Sequence, residues 1–218
     1  QGDLFLALKG ELSDGHRFLD GAFANGAAGA IVSEAINQPH VLVGDTTQAL
    51  EKLGIKARER VDATIFGVTG SVGKTGTKEA LFAALDRSAQ GKVHRSVKSY
   101  NNHVGVPLSL ARMPRDTRFG VFEMGMNHAG ELSVLTRFVR PHIALITTVG
   151  PAHIEHFRDE SGIADAKGEV FEGLVEGGTA IIPADNSHYS RLRSKAELHA
   201  GNVISFGFSE GAAVRCLD

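Results

Sequence analysis

The segment Thr69-Gly70-Ser71-Val72-Gly73-Lys74-Thr75 carries the residue types that grip phosphate. Glycines let a backbone curl until its N–H groups point inward at phosphate oxygens. A helix opening just after them adds the positive end of its dipole. In such a loop Gly70, Ser71 and Gly73 form the cradle, Lys74 neutralises the β- and γ-phosphates, and the Thr75 hydroxyl ligates Mg²⁺. The generic pattern places a glycine five residues before Gly73, where this chain has Val68, so the loop is a variant whose first glycine is Gly70. An ordinary glycine-rich turn is the alternative; a strand before the loop and a helix after Gly-Lys-Thr favour the phosphate reading.

Three further residues could share that chemistry. Glu123 closes the apolar run Phe119–Met124, and a carboxylate at the carboxyl end of a buried strand suits Mg²⁺. A rim carboxylate in a salt bridge is the bland alternative. His153 follows the run Ile143–Val149 through Gly150-Pro151-Ala152 and lands on the same rim; a loop histidine on its own is a surface residue, and this chain has 10 histidines. Lys167 has Ile163, Ala164, Val170 and Phe171 one helical turn away, so it lies on an apolar stripe instead of the solvated face. Its stem could snorkel past that face. The sharper reading is an amine that reaches a site and, once neutral, adds CO₂ to give a carbamate able to bind Mg²⁺. The turn Tyr100–Pro107 brings Asn102, whose amide can cap a helix or bind substrate oxygens.

These residues need a parallel sheet beneath them. Strands are expected at 64–68, 119–124, 143–149, 178–183 and 202–206, with helical patterns at 74–86, 104–112, 129–139 and 160–174. Alternating strands and helices imply an α/β fold, with a mostly parallel sheet of phosphate-loop ATPase type and helices on both faces. Ligands of such sheets sit beyond the carboxyl ends of the strands. Before it comes a smaller α/β unit: strands at 3–8, 29–33 and 40–44, a helix at 17–27, and a second helix capped by Thr46 or Thr47 that runs to about Val61. The expected division is 1–62 and 63–218.

Composition limits the partners. The 218 residues carry a formal net charge of −2, which argues against non-specific nucleic-acid binding. A single cysteine, Cys216, leaves no internal disulfide framework and fits a cytoplasmic location. No run approaches 18 apolar residues, so membrane insertion is not expected.

With Asn101–Pro107, Glu123-Met124-Gly125-Met126-Asn127-His128-Ala129-Gly130-Glu131, Pro151–Glu155 and Ala166–Phe171 beside the phosphate loop, the chain resembles the Mur ligases, the ATP-dependent amide-forming enzymes of peptidoglycan synthesis. The Glu123–Glu131 segment, Gly2–Gly10 and Asp14-Gly15-His16 are most similar to the members that join D-alanyl-D-alanine to a UDP-N-acetylmuramoyl-tripeptide. The resemblance implies ATP and Mg²⁺ as cofactors and an acyl-phosphate intermediate. Lys74 and Thr75 would serve the nucleotide, and Thr75, Glu123, His153 and a carbamylated Lys167 the metal. Lys74, Lys167 and His153 would form the catalytic group, with Asn102 near the substrate. It also implies a UDP-sugar-binding first domain; a monomer is expected. Family members have three domains; here the first is expected to lack its beginning, the central one its end, and the carboxyl-terminal ligase domain to be absent, so that the chain alone is expected to be inactive. Gly76 and the turn Ala184-Asp185-Asn186 depart from the family pattern. Another Mur ligase, a folylpolyglutamate-type ligase, or a non-catalytic nucleotide-binding module are the alternatives.

Overall fold

The computed structural model describes residues 2–10, 13–152 and 154–217. The chain divides into two compact units, Gln1–Leu53 and Gly54–Asp218.

In the first unit, strands β1 (Leu4–Leu6), β2 (Gly29–Val32) and β3 (His40–Leu42) form a parallel sheet in that order. A 3₁₀ turn at Gly15–Phe18 and helix α1 (Leu19–Ala24) occupy the stretch expected to be one helix. Ala7, Leu19, Ala30 and Val32 make the small core, with Phe5, Phe23 and Ile36 packed on it. Helix α2 (Thr46–Glu59) starts here. Its cap is Asp45, one residue before the threonines expected: the carboxylate accepts from Thr47 N at 2.7 Å and Gln48 N at 3.0 Å. Thr46 instead donates to the Ala7 carbonyl at 3.0 Å.

The second unit is built on seven strands: β4 (Thr64–Thr69), β5 (Val93–Arg95), β6 (Phe119–Glu123), β7 (Ile143–Ile146), β8 (Thr179–Pro183), β9 (Asn202–Gly207) and β10 (Val214–Arg215). All pair in parallel, in the order β10-β9-β8-β7-β4-β6-β5. The chain therefore leaves β4 inside the sheet, with β6 and β7 on either side, and every carboxyl end faces the same rim. Alternation along the strands separates two faces. Ile65, Phe122, Ala144, Ile146, Ala180 and Ile182 belong to the main core, which they share with helices α4 (Gly105–Ala111), α5 (Glu131–Val139), α6 (Glu160–Gly168) and α7 (Tyr189–Glu197). On the opposite face helix α3 (Lys74–Ala89) packs against β4, β5 and β6. It leaves Leu145, Ile181, Ile204 and Phe206 lining an apolar groove of about 430 Å³. The expected helix 160–174 breaks after Gly168 into a 3₁₀ segment, Glu169–Gly173.

None of the helices among the described residues is long and apolar enough to cross a membrane.

Candidate functional site

The loop between β4 and α3 turns through two glycines with positive φ, Gly70 at 147° and Gly73 at 85°. A Cβ on Gly70 would fall on Thr147 Oγ1, so glycine is required there for space as well as for backbone angle. The end of β7 holds the loop in shape. Thr147 Oγ1 donates to the Val72 carbonyl at 2.5 Å, Ser71 N donates to Thr148 O at 2.9 Å, and Ser71 Oγ donates to Gly150 O at 2.9 Å. Gly73 caps α3 with no side-chain hydrogen bond, which leaves the amino-terminal N–H groups of the helix to an anion.

Lys74 folds back over this loop, and its ammonium donates to the Gly70 carbonyl at 2.7 Å. Burial lowers its pKa, and Glu123 opposes that shift. Thr75 Oγ1 donates to Glu123 Oε2 at 2.8 Å. The register explains the meeting. Val68 pairs with Glu123, so the carboxylate emerges beside the start of the loop, on the face that α3 covers. Asn101 Nδ2 donates to the other oxygen, Oε1, at 2.8 Å. Glu123 is 1 % exposed, so both of these bonds matter to a carboxylate that water barely reaches. Lys78, fully enclosed, stands 3.9 Å from Glu123 Oε2.

Lys167 is 2 % exposed, on α6. Burial, reinforced by the Lys74 charge, lowers its pKa to about 8. Helical spacing is what revealed it: Ile163, Ala164, Val170 and Phe171 are all buried beside it. Next along, Glu169 accepts from Gly130 N at 2.8 Å and Ser133 N at 3.3 Å, which ties α6 to the amino terminus of α5; burial raises its pKa. Glu131 accepts from Asn127 N at 2.7 Å in the same turn.

The rim thus gathers Gly70, Ser71, Gly73, Lys74, Thr75 and Glu123 on one side of α3. The Lys74 charge acts on Lys167 as well. His153 lies outside the described residues. Among the described residues no group of three or more His, Cys, Asp or Glu side chains is arranged to hold a metal. Thr75 and Glu123 supply two adjacent hard oxygen donors at the mouth of a phosphate loop. This set suits Mg²⁺, which takes one or two protein oxygens and completes its shell with phosphate and water. Asn102, next in the chain after Asn101, is engaged in its own turn. Its Oδ1 accepts from Val104 N at 3.2 Å and Gly105 N at 2.9 Å, the capping role. It also lines a cavity of about 300 Å³ with His103, Gly125, Asn127, Glu131 and Val134.

Sequence reasoning missed Asn101, Lys78 and Thr147. Nothing in the spacing of Asn101 points to a carboxylate 22 residues on. Lys78 did carry a signal, since Leu81, Phe82 and Leu85 follow it at helical spacing. In the fold Gly125 makes room for Asn101: a Cβ there would come within 2.8 Å of the Asn101 side chain.

Comparison with known proteins follows the same lines. The Mur ligase middle domain family matches residues 68–216. The UDP-N-acetylmuramoyl-tripeptide–D-alanyl-D-alanine ligase of Rickettsia prowazekii (strain Madrid E) is 38% identical over 222 residues, which cover 100% of this chain and 49% of that relative. A crystal structure of MurF from Acinetobacter baumannii superimposes with a TM-score of 0.85 at 37% identity, covering 97% of this chain and 46% of that one. The MurF ligase of Thermotoga maritima in complex with ADP gives a TM-score of 0.81 at 32% identity, covering 97% and 48%. The chain spans about half the length of the curated relatives it matches.

Proposed function

The chain belongs to the Mur ligase family, and we propose that it supplies the nucleotide-binding part of an ATP-dependent ligase that adds D-alanyl-D-alanine to UDP-N-acetylmuramoyl-tripeptide. One observation carries the chemical half of this reading: the Thr75 hydroxyl and the Glu123 carboxylate meet at 2.8 Å beside the phosphate loop. The substrates come from the relatives' names, and the cytoplasmic location belongs to the same proposal.

In the proposed reaction the tripeptide carboxylate attacks the γ-phosphorus of ATP and gives an acyl phosphate and ADP. The amine of D-alanyl-D-alanine then attacks the acyl carbon, phosphate leaves, and the nitrogen loses a proton. No covalent bond to the protein is needed, so positioning and charge carry the rate. The loop N–H groups and the α3 amino terminus hold the phosphates. Lys74 exchanges the Gly70 carbonyl for phosphate oxygens. Thr75 and Glu123 would hold Mg²⁺, with His153 completing the proposed set; the ion neutralises phosphate charge when bound. Asn102 keeps its oxygen on the helix cap and offers its amide N–H groups to the peptide substrate in the adjoining cavity.

Lys167 has a distinct part in the proposal. A pKa near 8 leaves a useful fraction of neutral amine at neutral pH. Attack of that amine on CO₂ forms an N–C bond and releases a proton. The Lys74 charge, which disfavours a Lys167 ammonium, would favour the resulting carbamate. Repulsion would become attraction, and Lys167 would then supply a carboxylate-like ligand for Mg²⁺.

The test has two stages. Calorimetric titration of this chain with a non-hydrolysable ATP analogue is expected to show binding that Mg²⁺ strengthens. Protein spanning the full length of the relatives is then expected to release phosphate only when tripeptide precursor and D-alanyl-D-alanine are both present. Nucleotide binding without turnover in that longer protein would support a non-catalytic module instead.

A further inference from the structure

Lys78 is an unusual residue by any measure of packing. It is 0 % exposed, stands with Phe122 and Phe171 among the largest fully buried side chains, and is the only lysine so enclosed among the described residues. Enclosing an ammonium costs several kcal/mol unless every proton finds an acceptor. Here each does. The ammonium donates to Ser96 O at 3.0 Å and Lys98 O at 2.5 Å, and pairs with Glu79 Oε1 at 3.2 Å. Glu79 in turn receives Arg95 Nε at 2.9 Å. Two of the three acceptors are therefore backbone carbonyls of one short segment, the one that leaves the carboxyl end of β5.

That segment leads to Asn101. Lys98 adopts φ 51°, a left-handed angle uncommon for a residue with a side chain, and its carbonyl is one of the two that Lys78 holds. Ser96 also fixes the neighbouring strand, since its Oγ accepts from Glu123 N at 3.3 Å. Three residues past Lys98, Asn101 O accepts from Gly125 N at 2.8 Å and its amide donates to Glu123 Oε1. The first turns of α3 thus present Thr75 to one oxygen of Glu123, and, through Lys78 and the loop it grips, Asn101 to the other.

We propose that Lys78 is a positioning residue: by clamping the Ser96 and Lys98 carbonyls it sets Asn101 against Glu123 and fixes the direction in which that carboxylate meets the metal–nucleotide complex. The inference rests on the proposed nucleotide-and-Mg²⁺ reading of the site. A lysine serves better than an apolar residue because only an ammonium can bind two carbonyls and a carboxylate at once while adding positive charge behind Glu123.

The experiment is a double-mutant cycle on this chain with Lys78→Met and Asn101→Ala. Affinity for a non-hydrolysable ATP analogue is measured by calorimetry with Mg²⁺ and with EDTA. Each single variant is expected to weaken binding by about tenfold or more in Mg²⁺ and far less in EDTA, as for residues that orient a metal ligand. The double variant is expected to bind no worse than the weaker single, since both act through one contact. Trypsin cleavage after Lys98, followed by mass spectrometry without nucleotide, is expected to be faster in Lys78→Met than in wild type. Wild-type affinity in Lys78→Met, or losses that multiply in the double variant, would overturn the proposal. Should Lys78→Met not fold, Lys78→Gln keeps a donor for one carbonyl and carries the same comparison. If neither folds, Lys78 holds the core and the proposal fails. A wild-type chain that binds no nucleotide would sink the reading of the site instead, and the tryptic comparison alone would then decide whether Lys78 holds the loop.

Discussion

Thr75 and Glu123, 48 residues apart, share one hydrogen bond of 2.8 Å, from the hydroxyl of the first to Oε2 of the second. The contact joins the start of α3 to the end of β6. Glu123→Gln keeps the size and an acceptor oxygen but removes the charge. It is expected to leave the fold intact and to abolish most of the gain in ATP-analogue affinity that Mg²⁺ brings, while binding in EDTA stays near wild type. Equal Mg²⁺ dependence in variant and wild type, read by calorimetry, would remove Glu123 from the metal site.

Lys74→Ala removes an ammonium whose partners, the Gly70 carbonyl at 2.7 Å and the Ser71 carbonyl at 3.5 Å, belong to the loop itself. Charge-assisted hydrogen bonds are worth about 1.5–3 kcal/mol, so affinity for the analogue is expected to fall by roughly tenfold to a hundredfold. Circular dichroism is expected to show an unchanged fold, because the side chain serves no apolar core. Undiminished affinity would show that the loop binds no phosphate.

Lys167 makes the pH dependence testable, and its sign follows from its lowered pKa. Below about 8 the amine is charged in both folded and unfolded chains, and the cost of burying it is fully present. Between about 8 and the ordinary 10.5 the folded chain has released the proton that the unfolded chain still holds, so stability rises with pH. The gain is at most roughly 3 kcal/mol. Urea denaturation from pH 7.5 to 10 is expected to show that rise in wild type and to lose it in Lys167→Met. In ¹³C-bicarbonate at pH 8, the longer protein is expected to give a carbamate carbon signal that is missing from Lys167→Arg. The same signal in both proteins would assign the carbamate elsewhere.

Gly70 and Gly76 predict opposite outcomes for one substitution. Gly70→Ala forces a Cβ onto Thr147 and a backbone angle that alanine avoids, so nucleotide binding is expected to be lost. A Cβ on Gly76 meets nothing within 4 Å, and the residue lies inside α3. Gly76→Ala is therefore expected to stabilise the chain by about 0.5–1 kcal/mol, seen as a raised thermal midpoint.

What the sequence made legible follows the strength of its local signals. The phosphate loop, the ends of β4 and β6, and the inward face of α6 each announce themselves within a dozen residues. The short strands β5 and β10 do not, because three and two residues give no alternation to read. Helix α7 buries only Leu192 and Ala196, too few to stand out from a polar stretch. The Asn101 and Lys78 contacts depend on which strand lies beside which. That order, with β6 entering between β4 and β5, is a property of the assembled sheet and leaves no trace in spacing. Asp185 illustrates the same limit. Unassigned from sequence, it proves to accept from Phe208 N at 2.6 Å and Ser209 N at 2.9 Å, which fastens the turn after β9.

The strand order has a kinetic consequence. Because β4 is flanked by β6 and β7, the phosphate loop acquires its supports only after two later crossovers have closed on it. Contacts so distant along the chain cost loop-closure entropy before they return any stability, and parallel sheets of this kind fold slowly. Thr147 and Glu123 arrive with those crossovers, so a half-folded chain holds the Gly-Lys-Thr segment but neither its scaffold nor its carboxylate. Nucleotide then adds stability only to the finished sheet and none to its precursors. In a refolding experiment it is expected to slow unfolding while leaving the rate of folding unchanged.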